Sequence, residues 1–253
     1  MNLSALLFDV DGTLADTERD GHRLAFNAAF RDYGLDWEWD VTLYGKLLAV
    51  TGGKERIRHY TDTFRPDYRP PADFDDLIVM LHRAKTRHYT ELLEQGNIPM
   101  RPGVKRLLLE ARHAGLRLGI ATTTTPANVT TLLKCSLADD AVDWFEVIAA
   151  GDIVPAKKPA PDIYQWALQQ MQLPAAACFA FEDSANGIRS SLAAGIKTLI
   201  TINDYTSGHD FKGAAAVISD LGEPGAQPQI ISGSLHGAAY VNLPTINAWH
   251  DGT

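Results

Sequence analysis

Residues 3–8 form a nearly unbroken apolar run that stops at a turn-like Asp-Val-Asp-Gly. Such a run predicts a strand buried on both faces of a parallel sheet, with Asp9 at its carboxyl end. Residues 116–121 repeat the design after a helical stretch, 104–114, which Pro102 and Gly103 introduce and Gly115 ends. Two more strands of this kind are predicted at 177–181 and 197–202. Helices fill the intervals: 162–171 carries apolar residues at Ile163, Trp166, Ala167 and Met171, and 188–194 has a shorter apolar face. Strands separated by helices imply right-handed crossovers and an α/β fold with an open parallel sheet of Rossmann-like kind. Ligands in such sheets bind beyond the carboxyl ends of the strands. The polar clusters fall at those ends: Asp9 and Asp11, Thr122 to Thr125, and Glu182 with Asp183.

Between the first strand and Pro102 the periodicity is helical and no buried strand is evident, which predicts a helical insertion. Stretches 22–30 and 77–93 read as its helices, and 65–72, with three prolines, as a loop. The expected division is a sheet core, 1–16 and 97–253, with a helical cap at 17–96. From Pro224 onward the chain is rich in Gly, Pro and Ser and weakly periodic, and is expected to be a surface extension.

Composition narrows the function. The 253 residues are 45% hydrophobic and 21% charged, enough for a real core, and the net charge of −8 speaks against a nucleic-acid or anionic-membrane surface. Any phosphate site must be a local positive cluster. Cys135 and Cys178 lie far apart with no ligand spacing, which suggests neither a disulfide framework nor a zinc site and fits a reducing cytoplasm. No stretch approaches the roughly 18 apolar residues of a membrane span.

Carboxylates at i and i+2 on extended backbone point the same way, so Asp9 and Asp11 can face one crevice. Like charges so close need a cation or a proton between them. A hard divalent ion such as Mg2+ suits oxygen ligands, and Asp183, with Glu182 beside it, is placed to complete the site. Asp9 can attack phosphorus as a carboxylate, while Asp11 can protonate a leaving oxygen and then deprotonate water. A single Asp-x-Asp-Gly is equally a set of helix caps and turn residues; the recurrence of polar groups at successive strand ends favours the chemical reading.

These residues resemble the haloacid dehalogenase-like hydrolases. The resemblance rests on DVDGT at 9–13, Thr122 closing the second strand, KPAPD at 158–162 and EDS at 182–184, in that order. It implies Asp9 as nucleophile and metal ligand, Asp11 as acid/base with its carbonyl oxygen on the metal, and Thr122 holding a phosphoryl oxygen. It further implies Lys158 as the charge-neutralising lysine, Asp183 as a further ligand, and Glu182 as ligand or support. Lys157 is then a rim charge. Thr123 to Thr125 can offer hydroxyls to phosphate or serve as strand and turn residues, and Asn128 can bind substrate or cap a helix.

The insertion resembles the cap of the sugar-phosphate branch that includes β-phosphoglucomutase, and within it the CbbY-type phosphatases of the Calvin cycle, which act on xylulose 1,5-bisphosphate. The matching segments are 17–27, TGGKERIR at 51–58, HRAKT at 82–86 and RPGV at 101–104. Gly52 and Gly53 would let backbone N–H groups approach an anion, while Lys54 and Arg56 would supply charge to a second phosphate. Arg58 and Lys85 are weaker candidates. Glu18 and His22, one helical turn apart, are placed to bind sugar hydroxyls. A monomeric magnesium-dependent phosphatase of a small phosphorylated sugar is therefore expected. The rivals are a phosphomutase of the β-phosphoglucomutase kind, a phospho-Asp signalling module and a silent binding protein.

Overall fold

The computed structural model describes residues 2–96 and 98–252. Among these residues seven strands form one sheet in the order β3-β2-β1-β4-β5-β6-β7, with β1 Ala5–Phe8, β2 Arg117–Ala121, β3 Val147–Ala149, β4 Cys178–Glu182, β5 Lys197–Thr201, β6 Ala216–Ile218 and β7 Ile230–Ser232. Pairing is parallel from β3 through β6, and β7 closes the edge antiparallel to β6. At the centre, Leu6 of β1 sits opposite Leu118 on one side and Phe179 on the other.

Alternation along β1 divides the core. Leu6 and Phe8 join a cluster with Leu118, Ile120, Phe179 and Phe181, covered by α5 (Val104–His113), α6 (Pro126–Ser136) and α9 (Leu243–Asp251). Ala5 and Leu7 face the opposite way, onto Ile163, Ala167 and Met171 of α7 (Asp162–Met171). The α5 helix starts after Gly103, at φ +82°, and buries Val104, Leu107, Leu108 and Ala111 on one stripe. The remaining core helix, α8 (Ala185–Ala193), is capped by the Ser184 hydroxyl, which accepts from the Gly187 N–H.

Between β1 and α5 lie a five-residue π-helical turn, Glu18–His22, and α1 (Arg23–Asp32), α2 (Val41–Leu47), α3 (Gly53–Phe64) and α4 (Phe74–Glu94). They enclose an aromatic cluster of their own, with Phe26, Phe30, Trp37, Trp39, Tyr44 and Tyr60 at its centre. This helical layer is called the cap below. Among the described residues no helix is long and apolar enough to cross a membrane.

Two expectations need correction. The segment after Pro224 is no surface extension: it supplies β7 and α9, and Leu235, Val241, Ile246 and Trp249 are buried in the main core. Its Gly- and Ser-rich loops hide those apolar positions from a periodicity argument. The sheet also has three more strands than the four predicted, each only three residues long.

Candidate active site

The parallel strands deliver their polar ends to one edge. Asp9 follows β1, Thr122 follows β2, Glu182 ends β4 with Asp183 after it, and Asn203 lies just beyond β5. The side chains of Asp9, Thr122, Glu182, Asp183 and Lys158 are all buried. Asp9, Asp11, Thr122, Lys158 and Asp183 line a cavity of about 230 Å³ between this edge and the cap, which contributes Glu18, Thr51 and Arg56.

Lys158 is the hub of the negative charges. Its Nζ donates to Asp9 Oδ1 and to Glu182 Oε1, each at 2.6 Å. Glu182 Oε1 also accepts from the Tyr164 hydroxyl at 2.6 Å, while Glu182 Oε2 is buried with no hydrogen-bond partner among the described residues. Carboxylate oxygens of Asp9, Glu182 and Asp183 lie within 4.8 Å of one another. Burial pushes Asp9 up to about 7 against the pull of Lys158, with Glu182 and Asp11 adding to the rise. Burial, then the charges of Asp9 and Glu182, also hold Asp183 well above the usual carboxylate range. One ammonium does not balance three buried carboxylates, so an all-oxygen set of this kind fits a hard divalent cation. Asn203 donates from Nδ2 to Asp183 Oδ2 at 2.8 Å and fixes that carboxylate's orientation.

Asp11 turns the other way, and its carboxylate is not part of this cluster. Its Oδ1 accepts from the Thr17 hydroxyl at 2.5 Å and pairs with His22 Nε2 at 2.8 Å, while Lys85 Nζ lies 2.8 Å from His22 Nδ1. An ammonium can only donate, so Nδ1 is the acceptor and the ring proton sits on Nε2, pointed at Asp11. Burial works to raise the Asp11 carboxyl, but His22, Thr17 and the charge of Lys85 outweigh it and hold it below the usual range. Lys85 is itself brought down to about 8 by burial, despite Asp11 and Glu18.

The substrate-binding candidates separate into three groups. Glu18 and Arg56 line the Asp9 cavity; Arg56 donates to the Tyr44 hydroxyl at 2.8 Å, and Tyr44 donates to Glu18 at 2.5 Å. Gly53, Lys54 and Thr123 instead line an adjoining crevice of about 390 Å³, with His82 and Lys157. Thr123 belongs to both spaces. There Lys54 pairs with Asp152 at 2.5 Å, and Lys157 bridges Glu55 at 2.9 Å and Asp152 at 3.0 Å. Gly52, at φ +97°, caps α3; a Cβ there would fall 2.2 Å from Glu55 Oε2 and 2.7 Å from Lys157 Nζ. The third group lies away from both spaces. His22 and Lys85 sit behind Asp11, Arg58 pairs with Asp75 at the surface, and Asn128 is buried in the first turn of α6, its Nδ2 donating to the Thr124 hydroxyl at 2.8 Å. The α6 cap is Thr125, not Asn128.

Tyr164 and Asn203 escaped the sequence reading. Tyr164 reads as one more apolar position of α7; Asn203 carried a usable signal, being the polar residue beyond a fourth strand end.

Comparison with known proteins agrees with this layout. A family model for haloacid dehalogenase-like hydrolases matches residues 3–195. Protein CbbY of Cupriavidus necator is 46% identical over 252 residues, which is 99% of this chain and 98% of that protein. The crystal structure of a CbbY mutant from Rhodobacter sphaeroides in complex with xylulose 1,5-bisphosphate superposes with a TM-score of 0.80 at 42% identity, covering 87% of this chain and 96% of that one. A β-phosphoglucomutase from Clostridium difficile, 19% identical, shares the fold with a TM-score of 0.68 over 86% of this chain and 91% of its own.

Proposed function

For this chain, which belongs to the haloacid dehalogenase-like hydrolases and is a sugar-phosphate phosphatase, we propose that the substrate is a sugar bisphosphate, xylulose 1,5-bisphosphate, and that Asp9 forms an aspartyl-phosphate. The observation that carries the substrate reading is the pair of neighbouring spaces that share Thr123 in their walls. The cavity holds the nucleophile, and the crevice on the other side of Thr123 would offer Lys54, Lys157 and the start of α3 to a second phosphate. The CbbY relative that binds this compound supports it at 42% identity.

In this account an Asp9 carboxylate oxygen attacks phosphorus in line with the sugar oxygen, and the P–O bond to the sugar breaks. Asp11, held ionised by His22 and Thr17 in the protein alone, takes up a proton as the negatively charged phosphate enters beside it and gives that proton to the departing oxygen. The carboxylate so formed takes a proton from water as that water attacks the same phosphorus, returning Asp9 and releasing phosphate. His22 and Thr17 fix the Asp11 carboxylate for both transfers. Lys158 and Thr122 face the phosphoryl oxygens, and Glu182 with Tyr164 keeps the lysine aimed. Mg2+ would be held by Asp9 and Asp183, with the Asp11 carbonyl and Glu182 as further candidates, and would neutralise the phosphoryl charge. Residues 17–96 would act as a cap that excludes water from the site.

The test is a panel of sugar mono- and bisphosphates with Mg2+, reading free phosphate and the organic product. The account predicts one phosphate and one sugar monophosphate per xylulose 1,5-bisphosphate, no turnover in EDTA, and recovery on adding Mg2+. Isomer formation without net phosphate would make the protein a mutase, and a preference for monophosphates would remove the bisphosphate reading.

A further inference from the structure

The RPGV segment at 101–104 plays no part in the chemistry above, yet Arg101 is among the most enclosed cations of the molecule, its side chain 7% exposed. It stands where the chain returns from the cap to the core. Met100 bridges antiparallel to Ala15 on the outgoing crossing, and the Arg101 N–H donates to the Leu14 carbonyl at 2.8 Å. The guanidinium then reaches across the active-site edge. It donates to the Gly12 carbonyl through Nη1, which also lies 3.3 Å from the Thr201 carbonyl. Through Nη2 it donates to the carbonyls of Ile202 at 2.5 Å and Ser219 at 2.6 Å. Among the described residues its one ion-pair partner is Asp16, 3.5 Å from Nε and 63% exposed, so four carbonyl dipoles from three segments, rather than a buried counter-ion, carry most of the compensation.

Two of those segments belong to the site. Gly12 follows Asp11 and packs against Asp183, because a Cβ on Gly12 would fall 2.3 Å from Asp183 Oδ2. Ile202 precedes Asn203, whose amide orients the same Asp183 oxygen. We infer that Arg101 is a positioning residue. One planar fork fixes both the turn that carries the acid/base and the strand end that orients Asp183, and ties them to the two crossings into the cap. A lysine cannot substitute, since its single ammonium lacks the planar set of donors that spans carbonyls on separate segments. Loosening these peptides should misplace Asp11 and Asp183 without removing a group that touches substrate.

The test uses full-length Arg101→Lys and Arg101→Ala with para-nitrophenyl phosphate, assayed at a temperature where circular dichroism shows each folded. The expected result is a kcat lowered about tenfold or more in Arg101→Lys, with KM changed less than about twofold. Guanidinium at low millimolar concentration, and not ammonium, should recover kcat in Arg101→Ala while leaving the parent protein unchanged. A merely structural staple predicts a lower melting temperature with kcat per folded molecule intact. That outcome, or a fully active Arg101→Lys, overturns the inference; if Arg101→Ala does not fold, the Lys variant decides alone.

Discussion

Truncating Lys54 and Arg56 to alanine should have different consequences, although the two residues stand two positions apart. Lys54 meets Asp152 with side chains 34% and 60% exposed, and pairs that open to water contribute only about 0–1 kcal/mol. Lys54→Ala should therefore leave stability almost unchanged. A charge-assisted contact to a phosphate is worth about 1.5–3 kcal/mol, roughly ten- to hundredfold in kcat/KM. Arg56 is 9% exposed in its side chain, 3.8 Å from Glu18 and bonded to the Tyr44 hydroxyl, with its guanidinium 5.2 Å from the centre of the Tyr44 ring. Its removal leaves a largely buried carboxylate without its counter-charge and with the Tyr44 hydroxyl as donor, at a cost of about 2–4 kcal/mol of folding stability. The assay is kcat/KM on xylulose 1,5-bisphosphate and on para-nitrophenyl phosphate, beside urea unfolding of each variant. Lys54→Ala should lose activity on the bisphosphate alone, and Arg56→Ala should lose stability and disturb both substrates. Equal losses on the two substrates in Lys54→Ala, or none on the bisphosphate, would refute the reading of the crevice while leaving the core chemistry in place.

A methyl group at position 187 would lie 1.7 Å from Glu182 Oε2 and 2.2 Å from its Cδ. Gly187→Ala should push Glu182 off Lys158 and lower kcat on every substrate, with a stability loss of about 1–3 kcal/mol; unchanged kcat would contradict the packing. Lys85, whose ordinary value is 10.5, is lowered to about 8 by burial, so between those two values the unfolded chain holds more protons at this position. Its contribution makes folding stability rise with pH across that window. Urea midpoints followed from neutral pH to about pH 10 should show the rise flattened in Lys85→Met, which also removes the donor to His22 and should lower kcat; an identical slope would count against a buried ammonium.

How much of this could be read from the chain depended on geometry. The strands β1, β2, β4 and β5 are four or five residues long and buried on both faces, so they stand out as apolar runs. By contrast β3 and β6 are three residues each, fixed by pairing to neighbours rather than by pattern, and β7 is exposed throughout. Asp9, Thr122, Glu182 and Asp183 were legible because parallel strands deliver their ends to one edge; Asp11 lines the same cavity, but β1 has ended at Phe8 and its carboxylate points to His22 rather than standing beside that of Asp9. The choice of Lys158 over Lys157 came from family resemblance alone; the geometry sets Lys158 on Asp9 and Lys157 on Glu55. His22 was expected at the sugar and instead backs Asp11, because the π-helical turn and α4 bring it against Lys85. A signal for that existed: Lys85 lies midway between Leu81 and Tyr89, both buried, on the inward stripe of α4, where a charge needs a partner. Arg101 carried no such mark, since its four carbonyl partners come from segments up to 118 residues away.

In the proposed reaction Asp9 takes the phosphoryl group onto its own carboxylate. Acid quenching during turnover of xylulose 1,5-bisphosphate with Mg2+, followed by borohydride reduction and peptide mass analysis, traps an acyl phosphate as a reduced side chain. The account predicts that modification at Asp9 and nowhere else, and neither modification nor phosphate release in Asp9→Asn. Undiminished phosphate release by Asp9→Asn, or turnover by the parent protein with the acyl phosphate trapped at another carboxylate, would contradict it.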